Sequence, residues 1–427
     1  MSNINTTDFH DFKQLYDKDP YLKSVETTVN FSKKLAKEDA SGANYVINTK
    51  ETIFYPEGGG QPGDTGVFIL EDGSEIKVLD TRYGFIEDDD TPYILHYTNK
   101  PLDANTKIVE KINWKRRFTH MQQHSTEHIL SGLVYKKYDY LNVGFHLGRE
   151  YTTIDFSGPV SYEQMQEIVR AANQLIYKNT KVTAKVFTPE EAQDIKYRSK
   201  VEIDNLIRLV KIEGADICAC CGTHVKHTGE IGLIICTDVE SYKGGSRITF
   251  YAGTRAFNYI RKQQEILNNL VTHLSSPQEE LDKAVSNLES NISDLETTIE
   301  STANYLWDKK ISELDSSSLI YIKAKVFTPK IVKRLFKTLD ADLDKSLLVL
   351  MDQKENFTFY LFEPEEEYKS DTGIFKQLQA DYAARGGGSY TMTQGQIPAK
   401  ENGFDEDSKK EFIAKLAADF NLETHQL

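Results

Sequence analysis

The sequence predicts an α+β fold divided among several domains. Residues 21–115 contain short β-branched and aromatic runs separated by Gly, Asp, Asn and Pro, a pattern typical of a small β-barrel-like domain. Residues 116–255 alternate helical and strand patterns, and an apolar heptad follows from residue 281. With 427 residues, the chain is too long for one core at about 150 residues per domain. We therefore expect at least two or three domains.

Four blocks follow in order along the chain. We place a β-rich domain with a Gly-rich motif at 1–115, an α+β core at 116–255, a helical hairpin or coiled-coil linker at 256–315 and an α/β domain at 316–427. In the linker, apolar residues recur at alternating spacings of four and three, which is the heptad of a coiled coil. These residues are Leu281, Val285, Leu288, Ile292, Leu295 and Ile299. The linker is expected to be a spacer or a dimerisation element.

Composition excludes several classes of protein. The chain is 39% hydrophobic and 27% charged, which is typical of a globular protein and not of a disordered or collagen-like one. No apolar run approaches the roughly 18 residues of a membrane span, and residues 1–20 lack the pattern of a secretory leader. The expectation is a cytoplasmic protein that does not bind a membrane. A net charge of −14 argues against indiscriminate nucleic-acid binding, so any RNA partner must meet a local basic patch.

Histidines and cysteines concentrate in two motifs. His124 and His128 are four residues apart on a predicted helix, so both imidazoles lie on one face. Cys220 and His224 show the same spacing across the turn CCGTH. Three imidazoles and one thiolate form a set that suits zinc better than magnesium or calcium. Spacing alone does not select among these four and their neighbours, which are His120, Cys218, Cys221 and His227.

The motifs resemble a known family. FYPEGGGQPGDTG at 54–66, HSTEH at 124–128 and CCGTHV at 220–225 resemble, in order and spacing, the AlaX-type alanyl-tRNA editing proteins and the editing domain of alanyl-tRNA synthetase. This resemblance covers about residues 21–255. Residues 316–427 look like the DHH-associated domain that follows it in long AlaX proteins, with ARGGGSYTMTQGQI at 384–397 as the Gly-rich signature.

The resemblance implies a deacylase that hydrolyses wrongly charged aminoacyl-tRNA, chiefly seryl-tRNA(Ala). Glycyl-tRNA(Ala) is considered as a second substrate, although the missing methyl group gives a hydrogen-bonding site little to recognise. It implies one Zn²⁺ per chain on His124, His128, Cys220 and His224. Thr52 corresponds to a family threonine that recognises the serine hydroxyl, and Gln61 to the glutamine of the GGGQ motif, so we place both among the catalytic residues. Because four protein ligands close a zinc site, orientation of the substrate is favoured over activation of water.

RNA contacts are predicted at two acid-poor stretches beside the motifs, 107–117 and 241–264. The predicted substrate-binding residues are Gly58, Gly59, Gly60, Arg116, Arg117, Lys243 and Arg247. Glycines let a ligand approach the backbone, and Arg and Lys neutralise phosphates. The alternative function is a non-catalytic tRNA-binding protein stabilised by zinc. A homodimer through the helical or C-terminal region is also expected.

Overall fold

The computed structural model describes residues 13–86, 89–199, 206–323, 325–339, 344–353, 356–398 and 406–427. The prediction that residues 1–20 are not a secretory leader falls mostly on residues 1–12, which lie outside the described residues. The chain divides into two compact units, residues 1–269 and 270–427. The α+β class and a closed six-stranded barrel near the N-terminus confirm the predicted fold class and its first element. The four-block division stays a prediction.

The barrel closes in the strand order β2-β3-β7-β6-β5-β8. The short strand β4 lies outside it and pairs in parallel with β1. Alternating side chains point inward, as along β8, and bury a core that includes Val29, Phe54 and Phe68. The elements of this part are β1 (Lys13–Gln14), α1 (Leu15–Lys18), β2 (Ser24–Lys34), β3 (Tyr45–Thr49), β4 (Glu51–Thr52), β5 (Gly66–Ile69), β6 (Glu75–Ile86), β7 (Asp89–Thr98) and β8 (Lys107–Ile112).

The rest of the first unit surrounds one buried helix, α2. Two antiparallel sheets, in the orders β14-β15-β10-β9 and β11-β12-β13, contribute strands that contact α2, and α3 packs against it as well. The elements are α2 (Trp114–Tyr138), β9 (Asn142–Leu147), β10 (Thr152–Phe156), α3 (Tyr162–Tyr177), β11 (Val182–Phe187), α4 (Pro189–Ala192), β12 (Ile207–Ile212), β13 (Asp216–Ala219), β14 (Ile234–Tyr242), β15 (Gly245–Ala252) and α5 (Thr254–Leu274).

The composition of α2 sets it apart from an ordinary core helix. Ten of its buried residues are polar, among them Arg117, His120, Gln123, His124 and His128. Burying a polar group costs free energy unless it finds a hydrogen-bond partner or a ligand. The helix is therefore the element most suited to carry a functional site.

The second unit contains a six-stranded mixed sheet in the order β19-β20-β18-β17-β16-β21. One apolar cluster includes Trp307 of α6 and Phe336 of α7, and a second includes Leu378 of α9 and Leu416 of α10. The elements are α6 (Leu281–Ser312), β16 (Ser318–Ile322), α7 (Pro329–Phe336), β17 (Leu347–Gln353), β18 (Asn356–Phe362), α8 (Glu365–Lys369), α9 (Ile374–Tyr382), β19 (Arg385–Ser389), β20 (Met392–Pro398), α10 (Glu406–Asp419) and β21 (Glu423–Gln426).

Of the six heptad residues of α6, Leu281 is half-buried and the other five are solvent-exposed within the chain, with Leu288 50% and Leu295 62% exposed. The predicted linker therefore contains two helices, α5 and α6, and their pairing as a hairpin stays a prediction. None of the described helices is apolar enough over a sufficient length to span a bilayer.

Candidate metal centre and its surroundings

Helix α2 presents two histidines from consecutive turns. Its N-cap is Asn113, whose side chain accepts a hydrogen bond from the amide of Arg116. About three and four turns after this N-cap, His124 and His128 are each 2% exposed and their ring centroids are 5.4 Å apart. The predicted spacing of four thus places both imidazoles on one face of the helix.

The turn after β13 brings the second pair of candidate ligands to this face. Arg208 of β12 holds the turn by donating from Nη1 to the carbonyl oxygens of Cys220 and Gly222. A Cβ at Gly222 would lie 2.1 Å from Cε1 of His124, so only glycine allows this close approach. The glycine of the CCGTH motif is therefore required by the packing of the turn against α2.

The four donor atoms form a compact cluster. One atom from each of His124, His128, Cys220 and His224 lies within 4.8 Å of the others. The sulfur of Cys220 is 3.4 Å from Nε2 of His124 and 3.5 Å from Nε2 of His224. Bond lengths of about 2.0 Å to nitrogen and about 2.3 Å to sulfur give tetrahedron edges of about 3.5 Å. These residues could hold a metal ion, and their spacing suits tetrahedral coordination.

A second group could also hold a metal ion, because the donor atoms of its three residues lie within 4.8 Å of one another. These residues are His128, Asp216 and Cys218. Both oxygens of Asp216 are already engaged by Arg198, at 2.8 and 2.7 Å, and one of them also accepts from Nδ1 of His128. Burial raises the pKa of the Cys218 thiol to about 11, which disfavours the thiolate. The first group therefore suits a metal better.

Each histidine of the cluster has an outer hydrogen-bond partner. Nδ1 of His124 donates to Oε1 of Gln61 at 3.0 Å, and Nδ1 of His128 donates to Asp216 at 3.1 Å. Nδ1 of His224 lies 3.2 Å from the hydroxyl oxygen of Ser125. When Nδ1 carries the proton, Nε2 keeps its lone pair for a metal. The three partners therefore orient the rings, and the acceptor oxygens of Gln61 and Asp216 also select the tautomer of His124 and His128 that coordination requires.

The electrostatics of the cluster favour a thiolate. Burial raises the pKa of the Cys220 thiol, but the attraction of His124 and hydrogen bonds from the three histidines outweigh burial and hold it well below its usual value. Burial lowers the pKa of His224 to about 3, which keeps that imidazole neutral. Burial also opposes the charge on His128, yet the nearby Glu127, Asp216 and Cys220 raise its pKa well above the usual value. A bound cation would take the place of that proton.

The Gly-rich loop lies directly against the cluster. Gly58 and Gln61 exchange backbone hydrogen bonds at 3.1 and 2.9 Å across a tight turn. Gly60 has a positive φ of 79°, and a Cβ there would lie 2.6 Å from the ring of Phe145. Phe145 in turn packs against His124, with centroids 5.2 Å apart. The turn buries Gln61 fully and leaves Gly59 exposed.

Gln61 connects the loop to both metal motifs. Besides accepting from His124, its side-chain amide donates to the hydroxyl of Thr223 at 2.9 Å and accepts from the Thr223 backbone amide at 3.2 Å. The hydrogen bonds of Gln61 are thus with the candidate ligand His124 and with the CCGTH turn, and its predicted catalytic role stays a prediction.

Thr52 lies in a buried polar network of the barrel part. Its hydroxyl is 2.9 Å from both Nε2 of His96 and a carboxyl oxygen of Glu110, and it accepts from the amide of Phe54. Burial raises the pKa of Glu110 to about 7 and lowers that of His96 to about 4. Among the described residues, the hydrogen bonds of Thr52 are with this network and not with the His and Cys cluster. Its role in recognising serine stays a prediction.

The predicted phosphate-binding residues fall into two groups. Arg117 is fully buried and donates to Asp64, Pro20 and Ile53, so its guanidinium joins α2 to the barrel part. Arg247 forms a two-pronged ion pair with Asp155 at 2.7 and 2.8 Å. For these two arginines, binding of RNA phosphates stays a prediction that their contacts do not favour.

Arg116 and Lys243 differ from that group. Arg116 is partly exposed and donates only to the carbonyl of Gly63, at 3.1 and 3.3 Å. Lys243 is exposed and lies 5.1 Å from the ring centroid of Tyr242. Within the described part of the chain, neither residue forms an ion pair, so both remain available to an anion.

Sequence reasoning missed the outer partners Ser125 and Asp216, and also Glu127. The carboxylate of Glu127 lies 3.6 Å from Nε2 of His128 and accepts hydrogen bonds from Ser131 and Asn142. Ser125 and Glu127 lie inside the HSTEH motif, between the two candidate ligands, so the sequence could have indicated that they lie close to the metal site. Asp216 precedes the cysteines by two residues, but only the packing of β13 against α2 reveals its contact with His128.

Comparisons with known proteins bear on this arrangement. Residues 207–249 match the family model described as the second additional domain of threonyl and alanyl tRNA synthetases. This stretch runs from β12 through the CCGTH turn into β15. The Cys–His turn thus lies in a domain found in tRNA synthetases, while the barrel and α2 precede the matched residues.

Among curated proteins, the alanyl-tRNA editing protein Aarsd1-A of Xenopus laevis is 32% identical over 266 residues, 61% of each chain. The alanyl-tRNA editing protein Aarsd1 of Mus musculus is 30% identical over 288 residues, 65% of this chain and 67% of the mouse protein. The alanyl-tRNA editing protein AlaX-L of Pyrococcus horikoshii is 28% identical over 413 residues, 91% of this chain and 95% of that protein.

The chain belongs to the AlaX-type family of alanyl-tRNA editing proteins, which confirms the resemblance seen in its motifs. The chain spans about three fifths, 61%, of the length of the Xenopus relatives that it matches.

Proposed function

We propose that the chain is a trans-editing deacylase of mischarged alanyl-tRNA, with seryl-tRNA(Ala) as its main substrate and glycyl-tRNA(Ala) as a second. The proposal depends on one observation above all, the convergence of four donor atoms within 4.8 Å of one another. The relatives named for alanyl-tRNA editing support the reaction class. The choice of serine comes from the motif resemblance, and action in the cytoplasm is part of the same proposal.

The donor set suits one Zn²⁺ on His124, His128, Cys220 and His224. Three neutral imidazoles and a thiolate are the ligands that this borderline-soft ion prefers, and the two distances from the Cys220 sulfur to histidine nitrogens match edges of a tetrahedron. Bound there, zinc would supply a positive charge able to orient the aminoacyl end of the RNA. Because the chain offers four ligands, we favour orientation over activation of water.

The reaction is hydrolysis of an aminoacyl ester. The oxygen of a water molecule bonds to the carbonyl carbon, and the bond from that carbon to the ribose oxygen breaks, which yields the amino acid and a tRNA with a free terminal hydroxyl. The exposed Gly59, where a Cβ would meet no atom within 4 Å, gives the RNA end access to the loop backbone. Gln61 holds His124 in place from the same loop.

Discrimination against alanine needs a polar group that reads the serine hydroxyl. Seryl and alanyl esters differ by this hydroxyl alone, and a site built to hydrogen-bond it leaves its own polar atom unpaired when alanine enters. We assign this task to Thr52, as the resemblance implies. Since a glycyl ester also lacks the hydroxyl, we expect it to be a weaker substrate than the seryl ester.

A matched pair of cysteine variants tests the proposal. We expect Cys220→Ala to lose both bound zinc and deacylation of seryl-tRNA(Ala). Cys218→Ala removes a neighbouring buried thiol outside the four-ligand set and should keep both properties. Metal content by mass spectrometry and release of serine from the charged tRNA are the measurements. Full activity in a metal-free Cys220→Ala protein would refute a role of zinc.

The same experiment separates the alternative, a non-catalytic tRNA-binding protein stabilised by zinc. In that case the wild-type protein would bind tRNA(Ala) and contain zinc but would not accelerate ester hydrolysis, with or without a chelator. Rapid deacylation by the wild-type protein eliminates this alternative.

A further inference from the structure

Two arginines at the starts of different helices form no ion pair with any of the described residues. Arg116 lies in the first turn of α2, and Arg255 lies in the first turn of α5. Both side chains are partly buried. Arg255 lies against α2, because its Nη1 is 3.5 Å from the hydroxyl of Thr152, which in turn contacts Oε1 of Gln123 at 3.4 Å. A Cβ at Gly253 would lie 2.3 Å from the side chain of Gln122, so the start of α5 packs closely on this helix. Burial and, after it, the charge of Arg116 lower the pKa of Arg255, in keeping with this placement. Two positive charges held close together on a protein repel each other and destabilise the fold.

The two helix ends increase the positive potential. The N-terminus of a helix carries partial positive charge and unpaired backbone N–H groups, so acidic side chains are favoured there. The first turns of α2 and α5 contain no acidic residue and carry Arg116 and Arg255 instead. Both helices exceed twenty residues. The arrangement is unfavourable for the protein alone and favourable for a bound anion.

Hydrogen-bond donors remain available on both guanidinium groups. Arg116 uses Nε and Nη2 on the carbonyl of Gly63. Arg255 makes one long contact, 3.5 Å from Nη1 to the hydroxyl of Thr152. Within the described part of the chain, Nη1 of Arg116 and Nε and Nη2 of Arg255 have no protein partner.

A buried histidine provides an independent sign of a ligand. His120 is 3% exposed, and its Nδ1 has no hydrogen-bond partner among the described residues. His120 follows Arg116 by one turn of α2 and precedes by one turn Gln123, the residue that Arg255 approaches through Thr152. Burial and the charges of Arg116 and Arg255 hold the pKa of His120 far below its usual value. An unpartnered buried polar atom needs an explanation, and an absent anion is one.

The distance of Arg116 and His120 from the candidate metal centre indicates which anion would bind. His120 is one turn before His124 on α2, and Arg116 is two turns before it, about 12 Å along the axis at about 1.5 Å per residue. The guanidinium of Arg116 also touches the loop that contains the Gly-rich turn. An anion here would therefore lie within one nucleotide of an ester held at the His and Cys cluster.

We propose that Arg116, Arg255 and His120 form a binding site for the 5′-phosphate of the terminal nucleotide that carries the ester. This proposal rests on the proposed deacylase function. It adds that the protein binds the phosphate next to the ester that is hydrolysed. Guanidinium donors suit a phosphodiester because they form charge-assisted hydrogen bonds to its oxygens. The like-charged pair is then neutralised only when substrate is bound.

Two small probes test this site. The probes are the 2′(3′)-seryl ester of adenosine and the same ester of adenosine 5′-monophosphate. We expect the wild-type protein to hydrolyse the phosphorylated ester with a kcat/KM about ten to a hundred times higher, as charge-assisted hydrogen bonds to one phosphate allow. Arg255→Gln should reduce this ratio to about one while leaving kcat/KM for the adenosine ester unchanged.

A matched control is Arg170→Gln, the same substitution at an exposed arginine of α3, which should leave the ratio as in the wild-type protein. Arg255→Gln should also raise the melting temperature, because it removes the repulsion with Arg116, whereas a purely structural arginine would lower it. Should Arg255→Gln fold poorly, Arg116→Gln serves as the second variant with the same expected loss of the ratio.

A wild-type ratio near one, or an equal loss on both esters in Arg255→Gln, would overturn the phosphate site while leaving the deacylase intact. If the wild-type protein hydrolysed neither ester nor charged tRNA, the proposed function would fail, and binding of adenosine 5′-monophosphate against adenosine would then decide the site. Tighter binding of the monophosphate that Arg255→Gln abolishes would support it, and equal binding would refute it.

Discussion

The amide oxygen of Gln61 accepts a hydrogen bond at 3.0 Å from Nδ1 of His124, across 63 residues of sequence. The Gly-rich loop and the HSTEH helix are thus one structural unit, although the barrel strands β5 to β8 separate them in sequence. The loop motif and the metal motif therefore depend on each other.

The first prediction concerns this hydrogen bond. Gln61→Leu removes the partner of Nδ1 and should weaken zinc binding about 10- to 100-fold, since outer partners fix the tautomer and orientation of a histidine ligand. Competition with a chromogenic chelator measures the affinity. Gln193→Leu is a matched change at an exposed glutamine and should have no effect. Unaltered zinc affinity in Gln61→Leu would show that His124 does not need this partner.

The second prediction concerns the buried carboxyl of Glu110. Its pKa is raised by burial from 4.5 to about 7 in the folded protein, so the folded state binds more protons than the unfolded state between these values. The stability that this group contributes is present below pH 4.5 and is lost as pH rises through about 7. His96, lowered to about 4, acts in the opposite direction up to about pH 6.5.

Glu110→Gln isolates the contribution of the carboxyl, because His96 titrates in both proteins. From pH 5 to pH 8 the wild-type protein should lose about 2 kcal/mol of unfolding free energy relative to Glu110→Gln, from about 1.4 kcal/mol per pKa unit. Urea denaturation at the two pH values measures this difference. A difference that does not change with pH would mean that Glu110 titrates normally in the folded protein.

The third prediction concerns selectivity for serine. Thr52→Val should lower the ratio of seryl-tRNA(Ala) to alanyl-tRNA(Ala) deacylation about tenfold, the value of one hydrogen bond to the substrate hydroxyl. Thr49→Val is the matched control, because Thr49 is also buried and also donates to Glu110, at 2.9 Å. Equal ratios in the two variants would mean that Thr52 supports only the buried network.

The fourth prediction concerns the exposed heptad face of α6. Its apolar residues, Val285, Leu288, Ile292, Leu295 and Ile299, are each at least 42% exposed within the chain. We propose that a second copy of the chain covers this face, since a heptad seam is self-complementary. Light scattering should give the mass of a dimer, and Leu288→Glu with Leu295→Glu should give a monomer. A wild-type monomer at micromolar concentration would exclude this pairing.

Much of the fold could be predicted from local patterns in the sequence. The barrel could be predicted because its strands alternate between apolar and polar residues and end at Gly, Asp and Pro. The paired histidines could be predicted because a spacing of four puts side chains on one helix face whatever the surroundings. These features depend on local backbone geometry, which the sequence determines directly.

Tertiary contacts limited the rest. Arg116 and Arg117 belong to one basic run, yet neighbouring helical residues point about 100° apart, so one is partly exposed and the other is buried against Asp64. Arg247 looked free in sequence, but Asp155 lies directly opposite it in the register of β10 and β15. Such partners become visible only when the strands and helices are assembled.

Close approach of Gly222 to the His124 ring has a wider consequence. The two pairs of candidate ligands come from segments about ninety residues apart in sequence. They meet only because the CCGTH turn packs directly against α2. A divalent ion seated between them would act as a crosslink that closes this long loop, so loading with metal and completion of the fold become a single event.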